Sequence, residues 1–224
     1  MRPVLVKMCG NTNRTDLALL AAHGVDFAGV IVGVPWSARS VGPDRAPELL
    51  LDCPLPAVLV VVNPDGVELE GWIEAWRPVA VQLHGDEPPE LVERLAALSL
   101  CEVWKVLPLP PAAEGAQPEL AAEVLARAEA YGRAGVDRFL LDTAAGRRAG
   151  GTGLVSDWGV AGELVSRLER PVLLAGGLDA TNVADAIRTA HPAGVDVAGG
   201  VEAARGQKDP ARVAAFLAAV RGQS

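Results

Sequence analysis

Eight short apolar runs recur along this chain at near-even spacing, and a stretch with helical periodicity follows most of them. The runs are VLVKMC (4–9), FAGVIVG (27–33), AVLVVVN (57–63), VAVQLHG (79–85), EVWKVLPL (102–109), RFLLDT (138–143), PVLLAGG (171–177) and GVDVAGG (194–200). Most are continuous rather than alternating, which suits parallel strands buried on both faces. Between them, TDLALLAAHG opens on Thr and Asp and ends on Gly24, and PPELVERLAALS spaces Leu91, Leu95 and Leu98 along one face. PELAAEVLARAEAYG closes on Gly132, while DATNVADAIRTA and DPARVAAFLAAVRG begin with an Asp that complements a helix dipole. With 224 residues, each repeat takes about 28, the length of a compact strand–helix unit. We expect α/β architecture: a single (β/α)8 TIM barrel domain over residues 1–224. A doubly wound open sheet is the alternative, and it would use fewer strands.

Composition narrows the function. Half of the residues are hydrophobic, enough for one large core, and the net charge is −8. An acidic chain lacks the basic stripes that nucleic acids and anionic membranes require, so we expect neither as a partner. The opening MRPVLVKMCG is too short in apolar residues for a signal peptide, and no run reaches the ~20 needed to span a bilayer. Three cysteines, Cys9, Cys53 and Cys101, are an odd number without metal-ligand spacing and fit a reducing cytoplasm.

In a barrel, chemistry gathers at the C-terminal ends of the strands. The polar residues fall there: Lys7 and Cys9 after the first run, Arg39 in PWSARSV, Asn63, then Gln82 and His84 in QLHGDE, and Asp142 in LLDT. The seventh and eighth runs end in Gly176-Gly177 and Gly199-Gly200. Glycine lets an anion approach the backbone amides, and barrels often hold phosphate at this place, so the two pairs read as a phosphate site. Tight turns alone are the plainer reading. AAGRRAGGTG (144–153) is a long, glycine-rich loop with Arg147 and Arg148, either a lid or a surface loop.

Lys7 and Cys9 share a strand face by period two, so the ammonium is expected to bring the thiol down toward neutrality. Asp142 follows the apolar RFLL, where partial desolvation suits a carboxylic acid. Cys53 and Cys101 lack such partners and read as structural. Asp86 and Glu87 read as an exposed helix start. Lys105 is compatible with a Schiff-base lysine, but nothing else supports an aldolase or epimerase. Trp72, Trp76, Trp104 and Trp158 read as packing, and Trp36 lies near the expected pocket.

The set KMCGNT, SARSV, VQLHGDE, LLDT, GGTG…DW, LAGGL and DVAGGVE…G-x-KD, in that order, resembles phosphoribosylanthranilate isomerase of tryptophan biosynthesis, from residue 4 to about 216. The resemblance implies a TIM barrel without metal or cofactor. It implies an Amadori rearrangement of N-(5-phosphoribosyl)anthranilate, a phosphosugar substrate. It makes Cys9 the general base and Asp142 the general acid, and puts Arg39 on the anthranilate carboxylate. Gly176, Gly177, Gly199 and Gly200 would hold phosphate, with Lys7, Gln82 and His84 lining the substrate. A cytoplasmic monomer or homodimer is expected. Three departures stand out: Ala198 and Gly199 where the family usually has serines, Ala38 where it usually has proline before the arginine, and Trp36 in the same loop. They keep open a related isomerase acting on another N-ribosyl arylamine phosphate. A non-catalytic phosphate-binding barrel is the remaining alternative.

Overall fold

The computed structural model describes residues 3–109, 118–143 and 156–222. The expected lid, with Arg147 and Arg148, lies outside them.

Eight parallel strands close on themselves. In chain order they are β1 (Leu5–Met8), β2 (Phe27–Val32), β4 (Ala57–Val61), β5 (Ala80–Leu83), β6 (Glu102–Leu109), β7 (Arg138–Thr143), β8 (Val172–Leu174) and β9 (Gly194–Val197). Neighbours in sequence are neighbours in the sheet, and β1 pairs with both β9 and β2, which completes the circle. A two-residue strand, β3 (Ser40–Val41), adds to the edge of β2, so the sheet has nine strands around an eight-stranded barrel. The helices are α1 (Arg14–Ala22), α2 (Ala46–Leu50), α3 (Gly66–Trp76), α4 (Pro89–Leu98), α5 (Pro118–Arg133), α6 (Trp158–Arg167), α7 (Val183–Ala190) and α8 (Pro210–Arg221). A hairpin of β10 (Glu202–Ala204) and β11 (Gln207–Lys208) precedes α8.

The expected runs overlap these eight strands, and most expected ends extend one to three residues too far. Most of the excess residues are the polar and glycine positions at the C-terminal rim, which have left the ladder. The cap of α1 is Asn13, two residues before the expected start at Thr15, and its side chain accepts from Asp16 N at 2.8 Å. Asp65, Asp157 and Asp209 cap α3, α6 and α8 in the same manner.

Closure divides the strand side chains into two layers. Val58, Val60, Ala80, Trp104, Val106, Leu140 and Leu173 pack together inside the barrel with Cys9, Phe27, Ile31 and Ala198. Their alternate neighbours, such as Val6, Met8, Leu59, Val81, Leu107, Leu141 and Val195, face the helices and form the larger core. Burial on both faces is why the sequence runs are continuous. At the N-terminal end of the barrel Trp104 is fully buried, edge-on to Phe27 with ring centres 5.1 Å apart. The Arg138 guanidinium lies 5.5 Å from the Trp104 ring centre, and Glu102 binds both Arg138 Nε (2.8 Å) and Trp104 Nε1 (2.7 Å). That end is plugged, so access is from the other.

Glu87 is not at an exposed helix start, as its neighbours suggest; it is 2% exposed. Its carboxylate accepts from the amides of Asn63 (2.8 Å) and Gly85 (2.9 Å) and from Lys105 Nζ (2.9 Å). Lys105 also donates to the carbonyls of Leu83 and Gly85. These bonds tie the ends of β4 and β5 together and fix the backbone that carries His84. Lys105 is therefore engaged in structure and faces away from the barrel interior. Burial pushes its ammonium down more than the Glu87 carboxylate restores it. Removing one member strands the other without solvent. Glu87→Ala is expected to destabilise the fold by about 3–5 kcal/mol in urea denaturation, and Glu87→Ala/Lys105→Met to recover most of that loss.

Candidate active site

Cys9 follows β1 directly and is 7% exposed. Its amide donates to Val197 O at 2.8 Å, so the end of β9 holds the backbone beneath the thiol. Lys7, fully buried, is on the same face, as period two requires. Its Nζ bonds both carboxylate oxygens of Asp196 at 3.0 Å, from the residue paired with Lys7 across β1 and β9. Room for this trio comes from Gly29 on β2. A Cβ there would stand 2.7 Å from Cys9 Sγ and 3.1 Å from Lys7 Nζ.

The charge balance differs from the one expected of Lys7 alone. Burial pushes the Cys9 thiol up, and Asp196 adds to that; Lys7 and Lys208 oppose it without overcoming it. The thiol therefore lies above its ordinary value rather than near neutrality. Burial acts against the Lys7 ammonium as well, yet the facing Asp196 and Cys9 outweigh it and hold Lys7 above its ordinary value.

Arg39 crosses over Gly10, where φ is +77° and a Cβ would meet the arginine side chain at 2.5 Å. Its Nε and Nη2 grip Glu202 at 2.9 and 2.7 Å. Glu202 also accepts from Lys208 Nζ at 3.2 Å, and Lys208 donates to Cys9 O at 2.6 Å. One carboxylate thus ties the loop after β2 to the hairpin after β9 and to the end of β1. The Nη1 edge of Arg39, with two further donors, bonds no other described residue and lies in a side chain 13% exposed. Trp36, three residues earlier in the loop, is 55% exposed.

Asp142 lies near the end of β7, three strands from β1 in the strand order. Its Oδ1 accepts from Thr143 N at 2.8 Å and its Oδ2 lies 3.2 Å from His84 Nε2. Gln82 Nε2 donates to His84 Nδ1 at 3.1 Å, which leaves the ring hydrogen on Nε2, facing Asp142. Gln82 Oε1 is buried and accepts no bond from a described residue. Gln82, His84 and Asp142 therefore form one group, and Lys7, Cys9 and Arg39 another.

The two glycine pairs are adjacent. Gly176 and Gly177 have φ of +89° and +62°. A Cβ on Gly176 would sit 2.0 Å from Thr143 Oγ1 and 2.5 Å from Ser156 Oγ; these two hydroxyls bond each other at 2.6 Å. Gly199 and Gly200 open a 3-10 turn to Val201. A Cβ on Gly200 would strike Leu178 O at 2.1 Å, so the turn after β9 is seated against the loop after β8.

Asp196, Glu202, Lys208 and Gly29 carry this arrangement, and no function was assigned to them from sequence. Asp196 had a visible signal, an acid within the apolar GVDV. Glu202 and Lys208 fall in the quoted GVE…G-x-KD motif, but their partners are distant in sequence. Cys53 and Cys101 are half-buried and away from this group, and burial pushes Cys101 up to about 11.

The Glu202 junction has a defined pH response. Burial raises its carboxyl, but Arg39 and Lys208 outweigh that and hold it below its ordinary 4.5. Its stabilisation is complete above that value and is lost as pH falls through the lower, folded value. Stability measured by urea denaturation from pH 6 to pH 3 is expected to fall less steeply in Glu202→Gln than in the wild type.

Comparison with known proteins agrees with this architecture. The family model described as N-(5'phosphoribosyl)anthranilate (PRA) isomerase matches residues 6–219. An N-(5'-phosphoribosyl)anthranilate isomerase of Natronomonas pharaonis is 41% identical over 220 residues, covering 97% of this chain and 98% of that protein. The phosphoribosyl anthranilate isomerase structure from Thermococcus kodakaraensis is 34% identical with a TM-score of 0.81, over 97% of this chain and 99% of that one. Another such isomerase, solved in complex with reduced 1-(o-carboxyphenylamino)-1-deoxyribulose 5-phosphate, superposes with a TM-score of 0.79 at 29% identity, over 98% of this chain and 99% of that one. By its barrel, its rim residues and these matches along nearly its whole length, the chain belongs to the N-(5'-phosphoribosyl)anthranilate isomerase family.

Proposed function

We propose that this isomerase converts N-(5'-phosphoribosyl)anthranilate to 1-(2-carboxyphenylamino)-1-deoxyribulose 5-phosphate for tryptophan biosynthesis, with Asp142 as general acid and Cys9 as general base. What supports this reading is that the two groups stand at the same C-terminal rim of one closed barrel, at the ends of β7 and β1, three strands apart.

Asp142 gives its proton to the ring oxygen as the C1'–O bond breaks, and the anthranilate nitrogen supplies the electron pair that makes the iminium. The bonds from Thr143 N and His84 Nε2 are in place for the carboxylate that this step leaves. The iminium makes the C2' hydrogen acidic, and the Cys9 thiolate removes it to form the enolamine. C1' then takes a proton and the C2' hydroxyl loses one, which restores both catalytic groups and gives the ketone. No net proton or electron is gained or lost.

Binding follows the same layout. The Nη1 edge of Arg39 takes the anthranilate carboxylate, and Glu202 keeps the guanidinium in plane. The glycine loops take the phosphate: Gly176, Gly177, Gly199 and Gly200 bring backbone close to the mouth, and this supports the anion reading. Gln82, fully buried, acts through His84, whose Nδ1 it holds. Ala198 and Gly199 offer no hydroxyl donor, so the phosphate is held there by amides alone. Lys7, expected to line the substrate, serves Cys9 instead, since its ammonium is occupied by Asp196.

Anthranilate fluorescence reports turnover directly. Cys9→Ala and Asp142→Asn are each expected to lower kcat by about 10²–10⁴-fold with circular dichroism unchanged. Arg39→Met should raise KM far more than it lowers kcat. Full turnover by folded Cys9→Ala or Asp142→Asn would overturn the role of that residue.

A further inference from the structure

We propose that Asp196 is a positioning residue for the isomerisation: by pinning Lys7 beside the sulfur, it sets the condition under which Cys9 gives up its proton. The inference rests on Cys9 being the base.

The geometry leaves little freedom. Lys7 is fully buried and Asp196 is 8% exposed. Both oxygens of Asp196 hold one ammonium, at equal distances, and the strand register fixes the pair. Cys9 Sγ and the ammonium stand 2.7 and 3.1 Å from one point, the place a Cβ on Gly29 would take. Gly29 confines sulfur and ammonium to one pocket, because any side chain there would displace both. The charged groups facing Cys9 are thus Lys7 on its own strand, Asp196 on β9, Lys208 on β11 and Arg39 in the loop after β2. β2 contributes only uncharged Gly29 and Ile31 at this level.

Within this set Lys7 and Asp196 act on the sulfur in opposite directions. A lone buried ammonium beside the sulfur would drive Cys9 toward a permanent thiolate. Asp196 prevents this, because it cancels part of the field that Lys7 exerts on the sulfur. Cys9 therefore rests as a thiol, and it ionises when another cation comes close, its proton leaving to solvent at the mouth, which returns one to C1' in the last step. The iminium formed by ring opening is such a cation. The pair couples the appearance of the base to the appearance of the acidic C2' hydrogen.

The test uses full-length protein with Cys53→Ser and Cys101→Ser, so that Cys9 is the remaining thiol. Its titration is followed by ultraviolet thiolate absorbance and by iodoacetamide alkylation rate against pH. Asp196→Asn is expected to move the Cys9 titration to lower pH, with alkylation at neutral pH faster on the order of tenfold. Lys7→Met moves it to higher pH. The acid limb of kcat/KM should shift in the same direction in each variant, whereas a purely architectural loss lowers activity equally at every pH. If Asp196→Asn does not fold, Lys7→Met/Asp196→Leu carries the test. An apolar pair of similar volume is tolerated where half an ion pair is not. Its thiol is expected to titrate above that of the wild type, because the nearer, stronger influence of Lys7 is gone. An unshifted or upward titration in folded Asp196→Asn would overturn the proposal, as would an unshifted double variant. Active Cys9→Ala with these shifts intact would instead remove Cys9 as base and leave the charge coupling standing.

Discussion

Closure of the sheet through β1 governs everything else in this molecule. Because β1 pairs with β9 on one side and β2 on the other, the residues that face inward from eight strands must share a small enclosed volume. Most of that volume is filled by Val58, Val60, Val106, Leu140, Leu173 and Trp104. Apart from Arg138 and Glu102 at the plugged end, the inward polar groups are left one level, at the C-terminal mouth, where they meet one another. Lys7 meets Asp196, and His84 meets Asp142, because closure gives those side chains few other directions.

Burying charge at such a level is costly unless each charge is answered. Three lysines have fully buried side chains, and each has its own carboxylate: Lys7 with Asp196, Lys105 with Glu87, Lys208 with Glu202. The three pairs differ in what they hold. Lys105–Glu87 fixes loop backbone outside the barrel. Lys208–Glu202 joins the hairpin to Arg39 and to the carbonyl of Cys9. Only Lys7–Asp196 lies inside, against the thiol. The chain is strongly acidic overall, yet Lys7, Lys208 and Arg39 gather about Cys9 at the end of β1.

The fold was legible because burial on two faces leaves a simple trace, an unbroken apolar run that turns polar at the same end each time. Cys9, Arg39, His84 and Asp142 were legible for the same reason, as rim positions. What was hidden is partnership across the barrel. Glu87 follows an exposed Asp86 and looks like a helix start, and nothing local shows that Lys105, eighteen residues on, reaches back for it. The pairing of Glu202 with Arg39 spans 163 residues. The direction of the Cys9 shift was missed for a related cause: Lys7 is visible two residues away in sequence, whereas burial and Asp196, which oppose it, are consequences of closure.

Glycine placement shows how much of the site consists of space. Gly10 lets Arg39 lie across the chain at the base of the site, Gly29 admits both sulfur and ammonium, and Gly200 seats the turn after β9 against the loop after β8. At each, a single methyl group would meet atoms at or inside 3 Å. Gly199 differs, since a Cβ there meets the Arg39 guanidinium at 3.3 Å, a contact that a small shift relieves. A side chain at 199 is therefore sterically admissible, and its absence leaves a gap beside the arginine rather than meeting a backbone requirement. The departures at 198 and 199 thus change what lies beside Arg39 without altering the barrel or its charge pairs.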